Sequence, residues 1–195
     1  MCQPTNGDQN NQPDEPGGAS SGASQDDVPE GSCLGEDRPQ PFNITLTSQT
    51  ADIDPPISGW LDVQLAKLAQ VAGITSLELS VVLVDDQQMS DLHEQYMDIT
   101  GTTDVLTFDL SDDPDDPSVI EGELILCVDE ASRQAASREH QTRLELLLYG
   151  LHGLLHLMGY DDHDDDDYER MHAKEDEILT QAGFDALFAR DEKQL

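Results

Sequence analysis

Residues 142–168 read TRLELLLYGLHGLLHLMGYDDHDDDDY. Thr142-x-x-Glu145 has the form of a capping box, opening an apolar run that continues to Met158 and is closed by Gly159. The helix so predicted is apolar almost all round, yet it carries His152 and His156. These are i and i+4, so their imidazoles leave the same face about 6 Å apart. At that spacing two nitrogens can share one tetrahedral metal. His163 follows just past the glycine turn and can fold back as a third nitrogen from another direction. Three protein ligands with a fourth position for water make a catalytic zinc site rather than a structural one, and imidazole favours zinc over magnesium or calcium. Two histidines at helical spacing also arise by chance. The third histidine favours a metal, and so does the poorly solvated setting of the first two. His93, His140 and His172 lie among charged or polar residues and read as solvated.

Outward from this helix, the pattern is mixed. Phe42-Asn-Ile-Thr-Leu-Thr alternates with the period of a half-buried strand. Residues 57–72 place Trp60, Leu61, Leu65, Leu68 and Val71 at helical spacing, ended by Gly73. Residues 77–84 (LELSVVLV), 103–110 (TDVLTFDL) and 122–128 (GELILCV) predict three further strands. Helices are expected over 90–97, 129–139 and 166–181, and a loop over the acidic, proline-containing 111–118. This order predicts an α+β fold of about four strands and several helices. Aspartates in 161–167 precede the last helix and complement its N-terminal dipole, by about 0.3–1 kcal/mol each when close to the first turn. Some of them are also suited to accept hydrogen bonds from ligand imidazoles. A calcium loop is disfavoured, because the run lacks the glycine and terminal glutamate of an EF-hand.

Composition separates the ends of the chain. The 195 residues carry 42 acidic and 9 basic side chains, a net charge of −33. A hydrophobic fraction of 36% with 5% aromatics is low for a compact domain. The deficit lies in residues 1–40, where Val28 and Leu34 are the only aliphatic residues larger than alanine among many Gly, Pro, Gln and Ser. Such a segment cannot offset the entropy of ordering it, so 1–40 reads as a disordered acidic tail and 41–195 as the domain. The tail is −7, which leaves −26 on the domain. That charge repels DNA, RNA and anionic membranes at long range, so a nucleic-acid enzyme of this kind needs a metal or a few arginines as a local positive site. No run approaches the roughly 18 apolar residues of a membrane span. The first residues have neither the basic region nor the apolar core of a secretory signal. Three cysteines (Cys2, Cys33, Cys127) without a C-x-x-C pair fit a reducing cytosol.

Position 153 is glycine, so the general-base glutamate of H-E-x-x-H metalloproteases is absent. Neither a nucleophile elbow nor a phosphate-cradling or dinucleotide-binding glycine motif is present. His152-Gly-Leu-Leu-His156-Leu-Met-Gly-Tyr-Asp161, followed by a histidine, resembles the signature of the YbeY family, zinc-dependent endoribonucleases of bacterial ribosomal RNA maturation. Thr103-Asp-Val-Leu-Thr-Phe108 is similar to that family's T-D-V-L-S-F strand, and Gly122-Glu-Leu-Ile-Leu-Cys127 to its G-D-I-x-I strand. The order and spacing of the three motifs cover roughly residues 77–180, and the whole of 41–190 is compatible. The resemblance implies a four-stranded mixed sheet packed with about five helices, with one zinc ion at a cleft. It also implies cytoplasmic, single-strand-specific RNA cleavage in 16S rRNA 3′-end maturation and ribosome quality control, with the small ribosomal subunit or its assembly factors as partners and no DNA or membrane. Two departures from the family pattern are visible. The family's third histidine stands six residues after the second, where this chain has Asp162; the ligand role is carried to His163, with Asp162 as the alternative oxygen ligand. The family's Y-R pair corresponds to Tyr96-Met97, so its arginine is missing. Arg133, Arg138 and Arg143 are the substitutes for RNA binding, against the plain reading of solvated helix arginines.

No side chain stands out as general base, which makes a metal-bound hydroxide the natural candidate nucleophile. The expected activity is that of a metal-dependent endoribonuclease. Its rivals are a non-enzymatic ribosome-assembly factor whose zinc is structural, and a zinc peptidase, against which Gly153 counts.

Overall fold

The structure, a computed structural model, describes residues 42–50, 55–112 and 116–184. The tail expected over 1–40 and the C-terminal end of the expected domain lie outside these residues. Five helices and four strands follow in the order β1 (Phe42–Ser48), α1 (Pro55–Ala72), β2 (Ser76–Val84), α2 (Asp86–Met97), β3 (Val105–Asp109), β4 (Val119–Cys127), α3 (Val128–Ser137), α4 (Thr142–Leu157) and α5 (Asp165–Gln181). The strands form one mixed sheet in the order β1-β2-β4-β3. β1 and β2, and β2 and β4, run parallel; β3 and β4 are antiparallel. The α+β expectation holds. No described helix is long and apolar enough to cross a membrane.

The apolar run of α4 explains the layering. A helix without a polar face must be covered on all sides, and α4 packs against α1, α3, α5 and strands β3 and β4. Alternation along the strands supplies the facing surface. Leu77, Leu79, Val81 and Leu83 of β2 join Ile120, Leu124 and Leu126 of β4 in the core shared with α1, α4 and α5. The opposite sheet face carries a smaller cluster beneath α2, built from Val84, Met89, Leu106, Ile125 and Cys127. Two glycines let α4 seat closely. A Cβ on Gly153 would lie 2.6 Å from Leu124 Cδ2 and 3.2 Å from Thr107 Oγ1, and one on Gly150 would lie 2.6 Å from Leu65 Cδ2.

Several boundaries differ from the sequence reading for identifiable reasons. Helix α2 starts at Asp86 rather than Ser90, because Asp85 and Gln88 form a reciprocal cap: Gln88 N–H donates to Asp85 Oδ1 (2.9 Å) and Asp85 N–H to Gln88 Oε1 (3.2 Å). Strand β4 begins at Val119, and Thr103 and Asp104 precede β3 rather than opening it. The capping box expected at Thr142-x-x-Glu145 does not form. Gln141 is the N-cap residue and makes no side-chain cap. Glu145 is instead fully buried, accepting from Arg138 Nη1 (2.9 and 3.1 Å) and His140 Nε2 (2.5 Å). A carboxylate removed from water needs such charged partners more than a backbone N–H needs a cap. His140 is therefore a structural partner and not a solvated residue. At the other end, Asp164 caps α5 by accepting from Asp167 N–H (2.9 Å), with Asp165, Asp166 and Asp167 in the first turn.

Two outcomes follow from this packing. Gly153→Val forces a branched side chain into Leu124 and Thr107, and should destabilise the protein by about 2–3 kcal/mol; urea denaturation monitored by circular dichroism measures it. Burial pushes the Cys127 thiol up to about 12. In a Cys2→Ser/Cys33→Ser protein at pH 8, iodoacetamide should alkylate Cys127 about 1,000-fold more slowly than a free cysteine until urea unfolds the chain.

Candidate metal centre

The last two turns of α4 set the site. His152 and His156 face each other with Nε2 atoms 3.1 Å apart and rings nearly perpendicular. Each Nδ1 is engaged elsewhere. His152 Nδ1–H donates to Glu175 Oε1 (2.8 Å), and His156 Nδ1–H donates to the Tyr160 carbonyl (3.1 Å). Both of these partners accept only, so both rings carry the proton on Nδ1 and turn an Nε2 lone pair toward the other. Two Nε2 atoms 3.1 Å apart can share one cation, either a proton in an N–H···N bond or a metal ion. Two imidazoles on one tetrahedral zinc, at Zn–N of 2.0–2.1 Å, stand about 3.3 Å apart. The donor set therefore fits a divalent metal.

The third donor comes from the loop after Gly159, whose φ of +87° suits the turn out of the helix. Asp162 points in, with Oδ2 3.5 Å from His152 Nε2 and Oδ1 3.9 Å from His156 Nε2. These donor atoms lie within 4.8 Å of one another. His163 does not join them. Its side chain is 84% exposed and pairs with Asp161, which sits beside Asp162 on the same loop. The turn places Asp162, six residues after His156, against the pair, and His163 on the exposed side of the loop, where it groups with Asp161 and Asp162.

Glu175 is fully buried on α5 and accepts twice, from His152 and, through Oε2, from His172 Nδ1–H (2.5 Å). His172, expected to be solvated, is 17% exposed and lies edge-on to the Tyr168 ring. Burial alone would raise the Glu175 carboxyl, but the two imidazole bonds outweigh it and hold the group below its ordinary range. For His152, burial pulls the pKa down; the bond and charge of Glu175, with Asp104 and Asp162, push harder, and the net shift is upward. Sequence spacing could not reveal Glu175. The available signal is a carboxylate on the apolar stripe of α5, between Met171 and Ile178, both buried.

The three candidate arginines have separate placements. Arg133 holds Asp86 in a bidentate pair (2.6 and 2.8 Å) and also bonds Glu130. The Arg143 guanidinium sits 5.0 Å above the Trp60 ring. Arg138, while bonded to Glu145, lines a cavity of about 360 Å³ with Thr102, Thr103, Asp104, Glu130, Gln134 and Tyr149. Tyr149 is one turn before His152 on α4. Met97, in place of the family arginine, is about half exposed at the end of α2.

Comparison with known proteins agrees with the motifs. The family model described as endoribonuclease YbeY matches residues 43–183. Endoribonuclease YbeY of Acidothermus cellulolyticus is 42% identical over 113 residues, covering 53% of this chain and 69% of that protein. The protein of the same name from Mycolicibacterium paratuberculosis is 36% identical over 137 residues, covering 62% and 77%. Among solved structures, the solution structure of TM1509 from Thermotoga maritima superposes with a TM-score of 0.50 at 24% identity, over 71% of this chain and 91% of that one, a likeness of fold. With a family match spanning sheet, helices and histidine site, this chain belongs to the YbeY family.

Proposed function

We propose that the protein is a single-strand-specific, zinc-dependent endoribonuclease acting on ribosomal RNA, in 16S rRNA 3′-end maturation and ribosome quality control in the cytoplasm. The observation that carries this reading is the pair of converging Nε2 atoms of His152 and His156, 3.1 Å apart, with the Asp162 carboxylate facing both. Family membership supports the reaction class, since the relatives of this chain are named endoribonucleases. One zinc ion held by this donor set supplies a Lewis acid for a phosphodiester oxygen and lowers the pKa of bound water.

The chain's own residues perform the rest. His152 and His156 present their donors from a rigid, buried helix, so little reorganisation accompanies binding. In the proposal Asp162 is the third ligand, in place of the His163 expected from sequence, because its carboxylate already faces both imidazoles. A net charge of −33 opposes a polyanion over most of the surface, so RNA contact is confined to the metal face and its surroundings. Of the three arginines expected from sequence, Arg138 lines the cavity beside Tyr149 while bonded to Glu145, and is the one assigned to meet a phosphate in the absence of the family's own. Unpaired strands suit a site of this size, since their backbone can be splayed into it. The partners in this reading are single-stranded ribosomal RNA and the small subunit or its assembly factors.

Met97 in the arginine position favours a second reading, a non-enzymatic ribosome-assembly factor with a structural zinc. Purified protein decides between them. Cleavage of a single-stranded RNA that stops on chelation and returns with zinc supports the enzyme; bound zinc without any cleavage supports the assembly factor. His152→Ala and His156→Ala should each empty the site and lower cleavage by about 100-fold or more. His156→Ala should keep the fold, while His152→Ala, which leaves one oxygen of the buried Glu175 unbonded, should also lose stability. Asp162→Ala should do the same while His163→Ala keeps its zinc; elemental analysis of the two proteins reads the difference. Deleting residues 1–40 should change neither zinc content nor melting temperature by more than a few degrees, since almost nothing there can pack.

A further inference from the structure

We propose that Glu175 is the positioning residue of the metal centre, a single buried carboxylate that clamps His152 through one oxygen and is itself locked by His172 through the other. The inference rests on the metal-centre reading for its consequence, but its geometry stands apart from it. Glu175 has no exposed surface, and an ionised carboxylate in that setting is stable only when both oxygens are bonded. Here each oxygen receives one imidazole N–H, at 2.8 Å from His152 and 2.5 Å from His172.

The arrangement leaves His152 one neutral form. A proton on Nε2, which free histidine prefers, would turn the Nδ1 lone pair onto a carboxylate oxygen 2.8 Å away. The carboxylate therefore selects the form with Nδ1 protonated and Nε2 open, which is the donor a metal takes. His172 makes that selection rigid. A carboxylate held by one bond can rotate about its last torsion; one held at both oxygens cannot. The His172 ring is fixed in turn, edge-on to Tyr168 at 4.0 Å and roughly parallel to His152 at 6.3 Å. The line from Tyr168 through His172 and Glu175 to His152 thus orients one ligand from α5, while the Tyr160 carbonyl orients the other from α4's own end.

The test uses full-length ¹⁵N-labelled protein, stripped of metal and held at pH 9, with His152 assigned from the His152→Ala spectrum. Long-range ¹H–¹⁵N correlation reports which ring nitrogen is protonated. Wild type should show His152 protonated at Nδ1. Glu175→Gln, whose amide oxygen still accepts, should keep that form and weaken Zn²⁺ only a few-fold in competition with a chromophoric chelator. Glu175→Leu should return His152 to the form protonated at Nε2 and weaken Zn²⁺ by about 10–100-fold. His172→Ala should give a smaller loss of affinity than Glu175→Leu. Wild-type His152 protonated at Nε2, or a folded Glu175→Leu protein with unchanged tautomer and zinc affinity, overturns the proposal. Should Glu175→Leu fail to fold, the wild-type and Glu175→Gln spectra decide alone. A wild type that binds no Zn²⁺ yet shows the Nδ1-protonated ring would sink the metal reading and leave the positioning role standing.

Discussion

Everything in this molecule is arranged around the burial of α4. Leu146, Leu147, Leu148, Leu151, Leu154 and Leu155 all lose their solvent exposure, and each such side chain contributes roughly 1.5–3 kcal/mol. The helix can reach this depth because Gly150 and Gly153 let Leu65 and Leu124 approach to distances that a Cβ would forbid. The same close approach fixes where the last two turns lie relative to the sheet. The positions of His152 and His156 are therefore set by the leucines and glycines packed around their helix.

Burying this helix creates two polar obligations, and they are met in parallel ways. Near its start, Glu145 is paired with Arg138 and His140. Facing its end, Glu175 is paired with His152 and His172. Each carboxylate is wholly out of water and each is served by two nitrogen donors, for Glu145 both from the segment before α4, for Glu175 one from α4 and one from α5 itself. Among the described residues no buried side-chain nitrogen or oxygen lacks a partner. The two clusters differ in what they do. The Glu145 cluster ties the end of α3 to the start of α4. The Glu175 cluster ties α5 to the face of α4 that carries the histidine pair.

The acidity of the chain fits this division of labour. Aspartates gather where they cost little: Asp164 to Asp167 cap and charge the N-terminus of α5, where the helix dipole favours them. Asp162 stands two residues before that cap, between a glycine turn and a helix start, so its position is set from both sides. The positive side chains are mostly committed elsewhere, Arg133 to Asp86 and Glu130 and Arg143 to Trp60.

Much of this was legible in the sequence, because its signals are local. Strand alternation, helical periodicity and helix-ending glycines gave the α+β class and all nine elements, with errors of one to a few residues at their ends. The spacing of His152 and His156 placed two donors on one helical face, since four residues are close to one turn. What the sequence could not show was which distant groups meet. Glu145 read as a cap because its spacing from Thr142 is that of a capping box; only the packing of α3 against α4 turned it inward. Glu175 lies 23 residues from His152, and its role appears only when α5 docks on α4. Which of Asp162 and His163 faces the histidine pair depends on how one loop turns between Gly159 and Asp164. Periodicity belongs to the chain, whereas the partner of a buried charge is chosen by whichever element packs against it.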